Sequence, residues 1–494
     1  MSINVTIFSM QLWKFRRKIH TSWLIAVFSL AMVVGVFAVQ FVPQTIFAPV
    51  AWLAVALVCM GWALWRRAAY VLPVVVLAGS LLGLWRGSVL ATQVEVYAHV
   101  MGRTAEVRGK VVEDTDVGSA GEVNMRLGSI AINGHEVAGR VWVNLAGKQD
   151  IKRGDIVTVK GKVSEGFGNY AASMYRTKLV DWQRPNPGDV ARRVRDWFAD
   201  KIRLAIHEPQ ASLGLGYLLG QKRALPPELQ DALVVTGLTH VVVASGYNLT
   251  ILVRLARRLF ARVSKYLSTL SATTMILGFM AITGASPSMA RAGLVSGLSL
   301  AAWYYGRKFH PLVLLPFAAA VTVMIDPSYA WNDLGWELSF AAFAGVMILA
   351  PLLQRYFYGN AEPGTVRQIL GETISAQVMT LPILVMAFGA MSNVAIIANL
   401  LVLPLVPLAM LLTFVAGVAV LVAPWSAAWV GQPAEWVLTY VTSVIAYFAN
   451  LPWAQVEVQI GVWQVVAAYV VIVVACVYMW RATGYSLRGE NVVK

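Results

Sequence analysis

The chain has 494 residues, 58% of them hydrophobic and 13% charged, with a mean hydropathy of +0.64. One water-soluble core cannot hide so many apolar side chains, and apolar runs of about 17–25 residues recur, so a polytopic α-helical membrane protein is expected. The formal charge of +15 does not establish a nucleic-acid partner, because excess Lys and Arg on cytoplasmic loops is ordinary in such proteins, and Cys59 and Cys476, far apart in apolar runs, exclude a disulfide framework or a cysteine-based metal site.

The first apolar run, 23–42, follows Lys14, Arg16, Arg17 and Lys18. It is too long for a signal-peptide core and lacks a clear small-residue cleavage site, so it reads as a retained anchor. Runs at 48–65 and 70–85 complete an N-terminal three-span segment, 1–85, with Arg66 and Arg67 on the same inner side as the first basic cluster. Three crossings leave 86–188 outside the cytoplasm. This segment alternates in period two through "AEVRGKVVED", "EVNMRLGSIAI", "EVAGRVWVNLAG", "GDIVTVKGKV" and "RTKLVDW", punctuated by Gly, Asn and Asp. Five short strands in that pattern predict an inserted extracytoplasmic small β-barrel, OB-like in kind.

At 189–206 the sequence predicts an amphipathic helix, with Val190, Val194, Trp197, Phe198 and Ile202 on one face and Arg192, Arg193, Arg195 and Lys201 elsewhere. It fits a helix lying in the membrane interface, and equally a surface helix against the barrel. A membrane domain follows over 207–484, with about nine spans centred near Val243, Met275, Leu298, Leu315, Ala344, Leu381, Leu408, Val441 and Val470, and then a tail, 485–494. If crossings alternate, the basic clusters at Arg254–Lys265, at Arg307, Lys308 and His310, at Arg355, and at Arg481 and Arg488 all fall inside. Twelve crossings put both termini in the cytoplasm. Pro404 and Pro407 mark one stretch as a broken or re-entrant helix.

Within "LTHVVVASGYNLTILVRLARR" (238–258), His240, Ser245 and Asn248 are polar in an apolar setting. In one continuous helix His240, Ala244 and Asn248 share a stripe with Ser245 beside it. Two readings are open: interhelical hydrogen bonding, with Ala244, Ser245 and Gly246 allowing close packing, or the lining of a polar route.

"TGLTHVVVASGYNLTIL" resembles the signature helix of the ComEC family of competence channels, matching at Thr236, Gly237, His240, Ala244, Ser245 and Gly246. Asn248 stands where the family carries a second His, so any role needing two imidazoles does not transfer. "LGLGYLLGQKRALPPELQDALVVTGLTH", "TGASPSMARAGLVSG", "DPSYAWNDLGWELSFAAFAGV" and "SAQVMTLPILVMAFGAMSNVAIIANLLVLPLVPL" resemble further family blocks in the family's order. The resemblance implies a channel importing single-stranded DNA across the bacterial cytoplasmic membrane during natural transformation. It implies an extracytoplasmic DNA receptor, a cytoplasmic ATP-driven helicase or motor and the membrane lipids as partners, with a second copy of the chain as a further candidate. Many family members also end in a metallo-β-lactamase-like domain. The six histidines here (His20, His99, His135, His207, His240 and His310) form no H-x-H-x-D-H cluster, so the expectation is a non-enzyme without metal or cofactor, a separate nuclease degrading the strand left outside.

DNA entering a negative cytoplasm works against roughly 2.3 kcal/mol per charge per 100 mV, and the sequence carries no G-x-x-x-x-G-K-[ST] loop. Candidate groups in the membrane are His240, Ser245 and Asn248, and Arg291 one turn inside a helix that Ser286 and Pro287 open, a terminus that can accept phosphate. An ordinary capped helix with Arg291 snorkelling is the plain alternative. Asp333 is expected to cap the next helix and Glu337 to pair with Arg291. Ser339, Gln377, Pro382 and Asn399 match family-like positions. On the barrel, Arg108, Lys110, Arg140, Trp142, Lys160 and Lys162 offer a surface for phosphates and bases, nearly balanced by Glu106, Glu113, Asp114, Asp116 and Asp155; a lid or docking module is the rival role. A secondary transporter for small anions and, less well supported, an intramembrane hydrolase are the competing functions.

Overall fold

In lipid every backbone polar group must be satisfied internally, which favours helices wherever the chain is apolar and leaves strands to its polar insert. The computed structural model describes residues 18–117, 121–221, 225–242, 246–284, 287–306, 310–331, 333–361 and 363–485. Helices α1 (Thr21–Ala38), α2 (Ala51–Arg66) and α3 (Leu72–Val94) lead through the short helix Val96–Val100 to strands β1 (Thr104–Val111), β2 (Val123–Ile132), β3 (Val141–Leu145), β4 (Ile156–Glu165) and β5 (Ala172–Gln183). Then come α4 (Val190–Arg203), α5 (Gln210–Leu219), α6 (Pro227–Val235), α7 (Thr239–Val242), α8 (Gly246–Phe260), α9 (Lys265–Thr283), α10 (Pro287–Tyr304) and α11 (Pro311–Ile325). Helix α12 (Leu334–Ala344) runs through a π segment, Gly345–Leu349, into α13 (Ala350–Tyr358), followed by α14 (Thr365–Phe388), α15 (Ala395–Val402), α16 (Val406–Val422), α17 (Ala427–Ala449) and α18 (Val462–Thr483).

Among the described residues, 7 helical stretches are long and apolar enough to cross a bilayer, which makes this a multi-pass membrane protein. Of the twelve crossings expected, Ala51–Arg66 and Pro311–Ile325 are apolar but shorter. The runs centred near Val243, Leu298 and Val441 are not among the 7. The stretch with Pro404 is a broken helix, α15 and α16 being joined by a 3-10 turn at Leu403–Leu405. The chain clusters into two units, Met1–Gly188 with His310–Trp336, and Asp189–Phe309 with Glu337–Lys494.

In the first unit α1 and α3 pack backbone to backbone. Gly79 and Gly83 are four apart on α3, and a Cβ at either would strike a carbonyl of α1, Phe28 O or Met32 O respectively, the small-residue spacing of close membrane-helix pairs. Helix α3 extends to Val94 and a second short helix to Val100, so the barrel begins at Thr104 rather than at 86; "GSVLATQV" continues the apolar helix past Arg86. That arginine closes the C-terminus of α11, donating Nε to Met324 O at 2.9 Å and Nη2 to Ile325 O at 3.0 Å, where the helix dipole favours a cation. These contacts explain why His310–Trp336, expected within the channel domain, clusters with the N-terminal unit.

The five strands close in the order β1-β4-β5-β3-β2-β1, antiparallel except for β3 beside β5. Period-two alternation supplies the interior: in β3, Val141, Val143 and Leu145 are buried, as the sequence predicts. This closed barrel with one parallel pair is OB-like. The segment Asp326–Asp333 straps the barrel to the helices of its unit. Arg140 Nη2 donates to Asp326 Oδ2 at 3.0 Å and to Tyr329 OH at 3.1 Å, and Asn169 Nδ2 donates to Asp333 Oδ2 at 2.6 Å. Asp333 also caps α12 as expected, its Oδ1 accepting from Trp336 N at 2.8 Å. Burial raises its carboxyl pKa, opposed by that amide and by Arg140.

In the second unit α5 is buried from Ala211 to Leu219 at the centre of a cluster shared with α16 and α17. Helix α4 turns two of its arginines inward: Arg192 and Arg195 are buried and share Asp196, at 3.3 and 3.1 Å, while Arg193 and Arg203 are exposed. Val190, Val194 and Trp197 are exposed, the orientation a helix in the membrane interface adopts.

The strap yields a stability prediction. Arg140→Met or Asp326→Asn alone should cost about 1–3 kcal/mol, since each leaves a half-buried partner unpaired. Thermal unfolding of the full-length protein in detergent should show the double variant losing less than the sum; strict additivity would mean the pair carries no coupling.

Candidate functional site

The signature region begins with a helix stop. Thr236 is buried and donates Oγ1 to Ala232 O at 2.7 Å, and Gly237 follows at φ +69°, the left-handed position that ends helices at glycine. His240 and its neighbour Thr239 are exposed, whereas Leu238, Val241 and Val242 are buried, and His240 Nδ1 is 3.0 Å from Gly237 O.

Asn248 does something else. It is wholly buried and donates Nδ2 to Tyr217 O at 3.1 Å and, at the limit of a hydrogen bond, to Val241 O at 3.5 Å. In one straight helix seven residues rise about 10 Å, so α7 and α8 are not parts of a single straight rod. The stripe expected through His240, Ala244 and Asn248 is therefore corrected: His240 is accessible, and Asn248 is internal and ties α5, α7 and α8 together. Ala244, Ser245 and the cap expected at Ser286 lie outside the described residues.

Gly246 packs against α10; a Cβ there would stand 3.1 Å from Ala292 Cβ and 3.8 Å from Arg291 Nη2. The expected ion pair between Arg291 and Glu337 does not occur among the described residues. Instead the guanidinium lies over the rings of Phe340 and Phe343, at 5.6 and 5.4 Å. Phe340 is one turn beyond Glu337, so the arginine meets α12 a turn further on than sequence depth suggests. Ser339 Oγ donates to Ser288 Oγ at 3.3 Å where the same two helices touch. Gln377 is half-buried on α14, and Pro382 interrupts the bonding of that helix. Asn399 is buried and donates to Ala395 O at 2.9 Å.

On the barrel the six expected DNA-binding residues do not share a surface. Arg108, Lys110, Lys160 and Lys162 are exposed on the β1–β4 face, where Thr104 is opposite Lys162 and Glu106 opposite Lys160, with Lys178 of β5 next in line. Trp142 lies on the β2–β3 face, opposite Arg126, and Arg140 is engaged in the strap. Around Trp142 the structure adds residues that sequence reasoning missed. Its ring is 5.5 Å from Phe167 and 5.0 Å from Tyr175, and Phe167 is 5.2 Å from Tyr170. Tyr170 OH accepts from Arg126 Nε at 2.9 Å, and Arg126 pairs with Asp116 at 3.2 Å and Glu113 at 3.4 Å. The aromatic residues of the β4–β5 loop in "EGFGNY" were the available signal.

A membrane bundle with an OB-like insert and a polar signature region thus defines the class. Residues 217–482 match the family model described as "Competence protein", and the chain belongs to that family. It is 24% identical over 194 residues to an uncharacterized protein of Aquifex aeolicus, covering 38% of this chain and 46% of that one. It is 26% identical over 223 residues to ComE operon protein 3 of Bacillus subtilis, covering 43% of this chain and 27% of the relative. The chain therefore spans less than half the length of these curated relatives. No solved structure matches it.

The role of Asn248 is testable by stability. Asn248→Ala should destabilise the protein by about 1–3 kcal/mol by leaving buried carbonyls unpaired. Asn248→Asp should be worse, because a carboxylate cannot donate to them. Melting temperatures in detergent should fall in that order; equal values would deny the asparagine its donor role.

Proposed function

We propose that this protein is a conduit for single-stranded DNA across the bacterial cytoplasmic membrane during natural transformation. Membership of the competence family sets the process. The observation that carries the substrate is the ring cluster of Trp142, Phe167, Tyr170 and Tyr175 beside Arg126. It occupies the face and loop with which OB folds take up oligonucleotides, and stacked aromatics with a cation suit unpaired bases. The β1–β4 lysines supply a second, electrostatic surface. A small-anion transporter or an intramembrane hydrolase would leave the aromatic face without a role.

In this reading the barrel is extracytoplasmic, receives DNA from a surface receptor and passes it to the 207–484 domain, where His240 and Arg291 lie along the route. A cytoplasmic ATP-driven helicase supplies the work, a separate nuclease degrades the other strand, and both termini are cytoplasmic. The chain acts as a translocator rather than an enzyme, alone or with a second copy.

Deleting the gene should abolish entry of labelled DNA into the nuclease-protected compartment of competent cells. With purified full-length protein, Trp142→Ala combined with Phe167→Ala should weaken oligothymidylate binding by roughly tenfold or more, since stacking contributes ~1–3 kcal/mol per base. Lys160→Gln with Lys162→Gln should mainly flatten the salt dependence. Unchanged affinity in the aromatic double variant would remove the barrel from the DNA path.

A further inference from the structure

Arg291 is a half-buried cation with an unusual set of neighbours. A guanidinium stays charged in any protein environment. Its contacts are the faces of Phe340 and Phe343, and its Nε is buried without a hydrogen-bond partner. Among the described residues it forms no ion pair. An uncompensated charge in an apolar bundle is costly and marks a place where an opposite charge is bound.

The surroundings specify the anion. Nη2 lies beside Gly246, whose missing side chain leaves room, since a Cβ there would sit 3.8 Å from that nitrogen. A planar fork of N–H donors fits the oxygens of a phosphate. Phe340 and Ala292 are both buried, so the guanidinium stands among the helices.

We propose that Arg291, beside Gly246, binds a backbone phosphodiester of the DNA strand in transit. This rests on the DNA-conduit reading and adds to it the chemical group recognised inside the membrane domain. Arg291 would thus grip the strand without reading its sequence.

The test uses full-length protein in neutral-lipid nanodiscs with two oligothymidylates of equal length, one with ordinary phosphodiesters and one with uncharged methylphosphonates. Trp142→Ala serves as the background, to reduce binding by the barrel. Arg291→Gln should weaken the phosphodiester oligomer about tenfold and leave the methylphosphonate oligomer unchanged, with Arg291→Lys retaining part of the affinity. Equal weakening of both oligomers would assign the arginine a structural role and overturn the proposal. So would unchanged binding, or a loss appearing only when anionic phospholipid is present. If protein without any substitution binds neither oligomer, the DNA-conduit reading fails as well; binding that ignores Arg291 defeats this inference alone.

Discussion

The structure depends on the cost of placing polar groups in a low-dielectric helical bundle. Each such group must find a partner inside the protein or open onto water. Asn248 meets the demand with carbonyls of neighbouring helices, Arg86 with the carbonyl end of α11, and Arg192 and Arg195 with Asp196. Arg291 does not follow this pattern: among the described residues its guanidinium meets the rings of Phe340 and Phe343 and forms no ion pair. His240 is exposed, with Nδ1 near Gly237 O. The family signature region therefore sets an internal clasp, Asn248, beside an exposed histidine.

The barrel follows a different economy. Its backbone is satisfied by closure, which frees its outer faces for recognition. One face carries lysines in register on two strands, Lys160 opposite Lys178, and another carries linked aromatic rings with an arginine held by two carboxylates. The strap formed by Arg140, Asn169, Asp326 and Asp333 gives the barrel a fixed seat within its own unit. It also explains why an acidic, aromatic block far along the sequence belongs with the N-terminal helices.

The strands were legible because period two is a local signal, and the buried alternation of Val141, Val143 and Leu145 follows it directly. Apolar runs likewise announced the membrane helices, but charge, proline and short length obscured which of them qualify as spans. What the sequence concealed was long-range. Nothing local pairs Arg140 with Asp326 or sets Arg291 above Phe340, and the shared stripe of His240 and Asn248 presumed a straight rod. Predicting Glu337 as the partner of Arg291 failed for the same reason: depth along a helix is not position across two helices. Trp142 was legible as a surface aromatic, whereas Phe167, Tyr170 and Tyr175 become a site only when a loop folds over its face.

The most direct test of a wet route through the membrane domain is thiol accessibility at position 240. In a chain with Cys59 and Cys476 replaced by Ala, His240→Cys should react with a membrane-impermeant, charged thiol reagent and be protected by added single-stranded oligonucleotide. A residue that stays unreactive in correctly inserted protein, or reacts with no protection by DNA, would contradict the account.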